Sequence, residues 1–395
     1  MILSTTFHYL NRNVIFIYVP SFLQAAYKPK PEAYVRSIRI RFTNAEVVTL
    51  PGVKQKCLLA YCKTTATLYI SFTGSMDLDD WLVNLKTDMV KLNEVEINEG
   101  KLNDYLEEDK RFGPEVTCHQ GFSQRAKLWV EALFPVIEKK YERLGLKRIC
   151  TTGHSLGAAT SALVHILLVT AWNCDEFYNV TFALPLFGNL GLKNHLQSIE
   201  TSGNFKNMFN FVNYTDLVPA VALMPHVYKN LSSAIGEIIS YPSFLTSFFM
   251  SIGTIQPENK EKKEQIKQIA SNLAEQISKN KGKFDPLFEK ISPETYMPIG
   301  NYIFMKDSDL HEFSFEQSFD HQWVGQILAE SLKILKRLHS KHFLTSGYSG
   351  ENKQVFGEIL DNHSLETYGS QMTGCLTNGV HDNFMWWKME TDIGH

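Results

Sequence analysis

The sequence predicts an α/β fold: a mostly parallel central sheet with helices on both faces. Three observations lead there. Gly153-His154-Ser155-Leu156-Gly157 stands between a strand-like run and a helix-like run. Further β-rich runs before and after it end in Gly, Asn, Asp or Pro. The chain of 395 residues, 44% hydrophobic and 12% aromatic, can bury a large core. Residues 1–395 therefore read as a single domain carrying an insertion.

Residues 67–72 form the first predicted strand, ending in Thr73-Gly74-Ser75, with Asp79-Asp80-Trp81 beyond it. Cys118-His119-Gln120-Gly121-Phe122 follows, where His119 is expected to pack rather than catalyse. Residues 147–152 lead as a strand into the glycine-flanked serine. A Cβ on either flanking glycine would strike the neighbouring strand or helix, and the turn lifts the Ser155 hydroxyl above the sheet. Residues 156–172 are apolar nearly all round, as in a helix buried on most of its faces. Its N-terminal amides are placed to face a developing oxyanion. That helix is too short, and too polar at Thr160, Ser161 and His165, to span a bilayer.

The next predicted strand is 180–185, closed by Gly188-Asn189. Residues 208–212 then run as a strand into Asp216 and Pro219. Residues 228–296 read as a helical insertion; Ile266, Ile269, Leu273 and Ile277 recur at helical spacing in its Lys- and Glu-rich part, a solvated face. Strand character resumes at 300–306, and 319–342 is a second long helix with Ile327, Leu328, Leu332, Leu335 and Leu338 as its buried stripe.

One ordered set of motifs runs through these elements. It comprises Phe72-Thr73-Gly74-Ser75 with Trp81, His119-Gln120-Gly121-Phe122, Gly153 to Ala159, and Thr181-Phe182 with Pro185, Gly188 and Asn189. Asp216-Leu217-Val218-Pro219 and His363 with Tyr368 complete it. Over about residues 60–370 the chain resembles the class 3, fungal-lipase-like branch of the α/β-hydrolases. The resemblance implies the α/β-hydrolase fold, with the helical insertion lying between the acid and the histidine of a triad. It implies Ser155 as nucleophile, Asp216 as orienting acid and His363 as general base. Ser75 and the Leu156 amide are implied at the oxyanion hole. Three features depart from the family pattern: Thr73 stands where many relatives carry Arg or His, Ala183 replaces a common Gly, and the stretch from Asp216 to His363 is long.

The chemistry needs the same groups on its own terms. Ester hydrolysis at neutral pH requires a hydroxyl activated by a base, an acid that holds the base in one tautomer, and donors aimed at the oxyanion. On a sheet of this kind they come in the order Ser, acid, His. Asp216 fits, since it follows an apolar strand and precedes Pro219; an ordinary turn aspartate is the plainer alternative. Of the 13 histidines, His154 adjoins the nucleophile and points away from it, and His165 lies mid-helix. His363 is favoured as base because it stands at a loop tip after residues 357–361, with His381 as the runner-up.

The expected activity is hydrolysis of carboxylic esters, most of all acylglycerols or related lipid esters. Phe244, Leu245, Phe248, Phe249 and Ile252 recur at helical spacing opposite Ser243, Thr246, Ser247 and Ser251. Either this face packs into the core, or it forms a cap in which Phe244, Phe248 and Phe249 bind the acyl chain. Its polar face lacks Lys and Arg, so transient contact with a lipid surface would be insensitive to salt. The rival expectation is a lipase-like signalling or scaffold module that keeps the triad and binds partners through its helices. Acyl transfer to an acceptor other than water is not separated from hydrolysis by sequence.

A formal net charge of -3 gives no electrostatic case for nucleic acid. The six cysteines are scattered without a ligand-like pair, so neither a metal nor a disulfide framework is expected, and no nucleotide-binding glycine loop calls for a cofactor. Residues 14–19 form a short apolar run interrupted by Pro20, with no good cleavage site at 24–26. The sequons at Asn179, Asn213 and Asn362 fall in or beside predicted strands and triad loops. A cytoplasmic location is the expectation.

Overall fold

The structure is a computed structural model that describes residues 19–38, 42–74, 89–94, 96–97, 100–101, 108, 111–171, 176–198, 207–213, 216, 219, 296–305, 313–316 and 367–368. The insertion at 228–295, the helix at 319–342 and the residues around His363 lie outside these. Helical residues 19–26 (α1) and Pro31–Ser37 (α2) come first. A hairpin of β1 (Phe42–Leu50) and β2 (Val53–Cys62) follows. Leu50 pairs with Val53 across Pro51-Gly52. Gly52 takes φ +72°, the left-handed position that a type II turn demands after proline.

Next come β3 (Thr67–Phe72), the short strands β4 (Met89–Lys91), β5 (Glu96–Ile97) and β6 (Gly100–Lys101), and β7 (Thr117–His119). Helix α3 (Gln120–Leu144) leads to β8 (Arg148–His154), α4 (Leu156–Ala171), β9 (Glu176–Phe182) and α5 (Leu190–Ser198). Strands β10 (Met208–Asn213), β11 (Asn301–Met305) and β12 (Phe313–Glu316) complete the described elements. Among them the central sheet has the order β1-β2-β3-β8-β9-β10-β11-β12. Strands β3, β8, β9, β10 and β11 run parallel, with antiparallel pairs at both ends. This is the α/β-hydrolase arrangement that the sequence predicts.

Period-two alternation sends successive side chains to opposite faces. Leu68, Ile70 and Phe72 of β3, with Ile149 and Phe177, join the core under α3 and α4. Tyr69, Cys150, Tyr178, Val180 and Phe182 join the other core, under α1 and α2. Helix α4 is buried from Leu156 to Val169, as an all-round apolar helix must be. Between the layers, buried Asn179 Nδ2 donates to Ser161 Oγ (2.8 Å) and Thr151 Oγ1 (2.9 Å).

One strand boundary differs from expectation. β9 covers 176–182 and not 180–185, because Ala183 turns the chain at φ +53° while its amide donates to Phe211 O at 3.0 Å. The left-handed turn ends the ladder. It also accounts for the glycine that the family commonly carries there.

Candidate active site

Ser155 sits between the carboxyl end of β8 and the start of α4 with φ +57°, a left-handed backbone that costs an L-residue about 1–2 kcal/mol. The surroundings enforce it. A Cβ on Gly153 would lie inside the Gly157 carbonyl, and one on Gly157 inside the Phe72 carbonyl at the end of β3. Strand and helix can meet this closely only through two glycines. The Ser155 amide donates to Phe182 O (3.0 Å), tying the elbow to β9. Its carbonyl accepts from the Ala158 and Ala159 amides. Leu156 N–H, at the first helical position, is one of those that helix geometry leaves without an intrahelical acceptor.

Asp216 lies three residues past β10 and is fully buried. Its amide donates to Asn213 O (3.0 Å), and Tyr368 Oη donates to its Oδ2 (2.7 Å). The same phenol oxygen accepts from the Asn213 amide at 3.0 Å. Tyr368 is fully buried, with its ring edge-on to His154 (5.8 Å) and to Phe182 (5.9 Å). Burial first, and then the Asp216 charge, pushes its phenol well above the ordinary range, so it remains a donor. Ser155 and Asp216 thus leave the same edge of the sheet, at the carboxyl ends of β8 and β10 with β9 between them. Tyr368 spans from Asp216 to His154, the residue beside Ser155.

Three of the described histidines have structural surroundings. His154 packs against Tyr368. His165 is fully buried in α4 beside Phe177. His119 Nδ1 accepts from the Gly121 and Phe122 amides (3.2 and 3.5 Å), capping α3.

Of the residues singled out from sequence, Ser155, Leu156 and Asp216 are at one sheet edge. Ser75, His363, His381, Phe244, Phe248 and Phe249 lie outside the described residues. Tyr368 was legible as part of a motif, but its bond to the acid was not. Tyr27 and Gln55 carried no signal at all. Tyr27 Oη accepts from the Gly74 amide (2.6 Å), and Gln55 Nε2 donates to Thr73 O (2.7 Å). Among the described residues no group of His, Cys, Asp and Glu is placed to hold a metal ion, and no helix is long and apolar enough to cross a membrane.

Residues 69–226 match the family described as Lipase (class 3). No curated protein matches the sequence. Among solved structures, a lipase of Yarrowia lipolytica is similar at 17% identity and TM-score 0.41, over 54% of this chain and 74% of that one. A triacylglycerol lipase of Penicillium expansum shares 14% identity at TM-score 0.41, over 54% and 76%. A triacylglyceride lipase of Rhizomucor miehei shares 18% at TM-score 0.40, over 53% and 74%. The likeness to class 3 lipases thus covers residues 69–226, under half of the chain.

Proposed function

We propose that the protein is a serine hydrolase of lipid esters, acylglycerols above all, working through Ser155, His363 and Asp216. The left-handed Ser155 elbow at the head of α4 is the observation that carries this reading. In the proposed cycle His363 takes the Ser155 proton as Oγ attacks the ester carbonyl. The Leu156 amide and Ser75 stabilise the oxyanion. His363 then returns the proton to the leaving alcohol, and water, activated by the same imidazole, cleaves the acyl-enzyme to free acid. Asp216 holds the imidazole in one tautomer and balances its charge. Tyr368, which completes the late histidine motif in the sequence, donates to Asp216, and this supports His363 over His381.

Phe244, Phe248 and Phe249 are proposed to bind the acyl chain from a cap. The test is a series of nitrophenyl esters of increasing chain length, with emulsified glycerides, on the wild type and variants. Ser155→Ala and His363→Ala each lower turnover on the order of 10⁴-fold, and the double variant little further. Phe248→Ser with Phe249→Ser removes long-chain activity and spares short esters without a large fall in melting temperature. An inert wild type would instead support a lipase-like binding module, and retained activity in His363→Ala with loss in His381→Ala would reassign the base.

A further inference from the structure

We infer that Tyr27 and Gln55 are positioning residues that lock the peptide plane feeding the oxyanion hole; this rests on the proposed esterase reading. The Thr73 carbonyl and the Gly74 amide belong to one planar peptide unit, and its two ends point in opposite directions. Each end has its own side-chain partner. Gln55 Nε2 donates to Thr73 O at 2.7 Å, and the Gly74 amide donates to Tyr27 Oη at 2.6 Å. The plane is therefore held from both faces of the sheet, by β2 on one side and by the residue after α1 on the other.

Both partners are themselves anchored, Tyr27 by packing against the core under α1 and α2. Gln55 is fully buried, receives Trp129 Nε1–H on its Oε1 (2.7 Å), and reaches Thr160 Oγ1 of α4 at 3.3 Å. Trp129 and Thr160 are fully buried too. Thr73 adds its own ties to β2: its hydroxyl accepts from the Lys56 amide (3.0 Å) and donates to the Lys56 carbonyl (3.3 Å). This is a use for threonine that Arg or His at this position would not reproduce.

The location makes the lock consequential. A Cβ on Gly74 would be 3.1 Å from Tyr27 Oη, 3.3 Å from His154 O and 4.0 Å from Ser155 Cβ, so the clamped peptide borders the nucleophile. A flip of this plane would re-aim the backbone that continues into Ser75, the proposed donor. An oxyanion hole accelerates reaction only if its donors are already oriented when charge develops.

Tyr27→Phe removes one oxygen and keeps the ring. With 4-nitrophenyl butyrate its kcat falls about 10-fold or more while KM stays within about twofold, since orientation of an oxyanion donor matters in the transition state and not in substrate binding. Affinity for butylboronic acid, whose adduct places an oxygen in the hole, falls by the same factor as kcat/KM. Gln55→Met gives the same pattern, and the double variant costs less than the two single effects combined, because both hold one plane. If Tyr27→Phe does not fold, Gln55→Met carries the same expectation alone. Wild-type kcat and boronate affinity in a folded single variant, or a rise in KM at unchanged kcat, would overturn the clamp. An inert wild type would instead sink the esterase reading and the clamp with it.

Discussion

Tyr368 illustrates how one side chain sets the terms for a buried carboxylate. A carboxylate buried as fully as Asp216 needs donors, and the phenol supplies one at 2.7 Å while shielding the Asn213 amide. Tyr368→Phe keeps the ring against His154 and Phe182 but strips a donor from Asp216 and an acceptor from Asn213. Leaving buried polar groups unpaired costs about 1–3 kcal/mol, so urea unfolding should register a loss of that size. Turnover falls as well, by less than in Asp216→Asn, since the carboxylate stays. A variant as stable and as active as the wild type would show that the bond supports neither fold nor site.

The elbow between β8 and α4 stores strain as an element. Ser155 is held in a left-handed backbone, and the neighbouring glycines leave strand and helix no room to relax it. Ser155→Ala retains the Cβ and hence the strain; Ser155→Gly does not. Both variants are inactive, yet the glycine variant should be more stable than the alanine variant by about 1 kcal/mol, read by chemical denaturation. Equal stabilities would mean that the turn carries no strain. The same reasoning explains α4, whose first turn of small residues accepts β3 and β8 at close range.

At the scale of the whole molecule, the two cores on either side of the sheet enclose several groups that cannot ionise while folded. Burial raises the thiols of Cys57, Cys118 and Cys150, Cys118 to about 12, with the Glu46 charge adding to the effect at Cys57. Burial raises the phenols of Tyr302 and Tyr368 as well. In the unfolded chain these groups lose protons from roughly pH 8.5 for thiols and 10 for phenols. Above those values the unfolded state binds fewer protons than the folded one, so stability falls as pH rises. Each group removes about 1.4 kcal/mol per pH unit until its folded value is reached. Urea midpoints should therefore be insensitive to these groups at pH 7–8 and drop with increasing slope between pH 9 and 11. A flat profile there would mean that the thiols and phenols ionise within the native state.

The backbone plan and the serine elbow were legible because their signals are local. A serine elbow needs glycines at fixed offsets, parallel buried strands need short β-rich runs, and an enclosed helix needs apolar residues all round; all three are readable within a window of twenty residues. The β1–β2 hairpin and helices α1 and α2 were not anticipated, although Pro51-Gly52 was available as a turn signal. The end of β9 was misplaced because apolar residues continue past Ala183, where only the left-handed turn stops the ladder. Partners brought together across the chain were out of reach. Tyr27 meets Gly74 from 47 positions away, and Tyr368 meets Asp216 from 152. No periodicity marks such residues, because a hydrogen bond between distant segments is decided by how sheet and helices pack. The sequence alone thus names the proposed reacting groups, and packing decides which side chains border them.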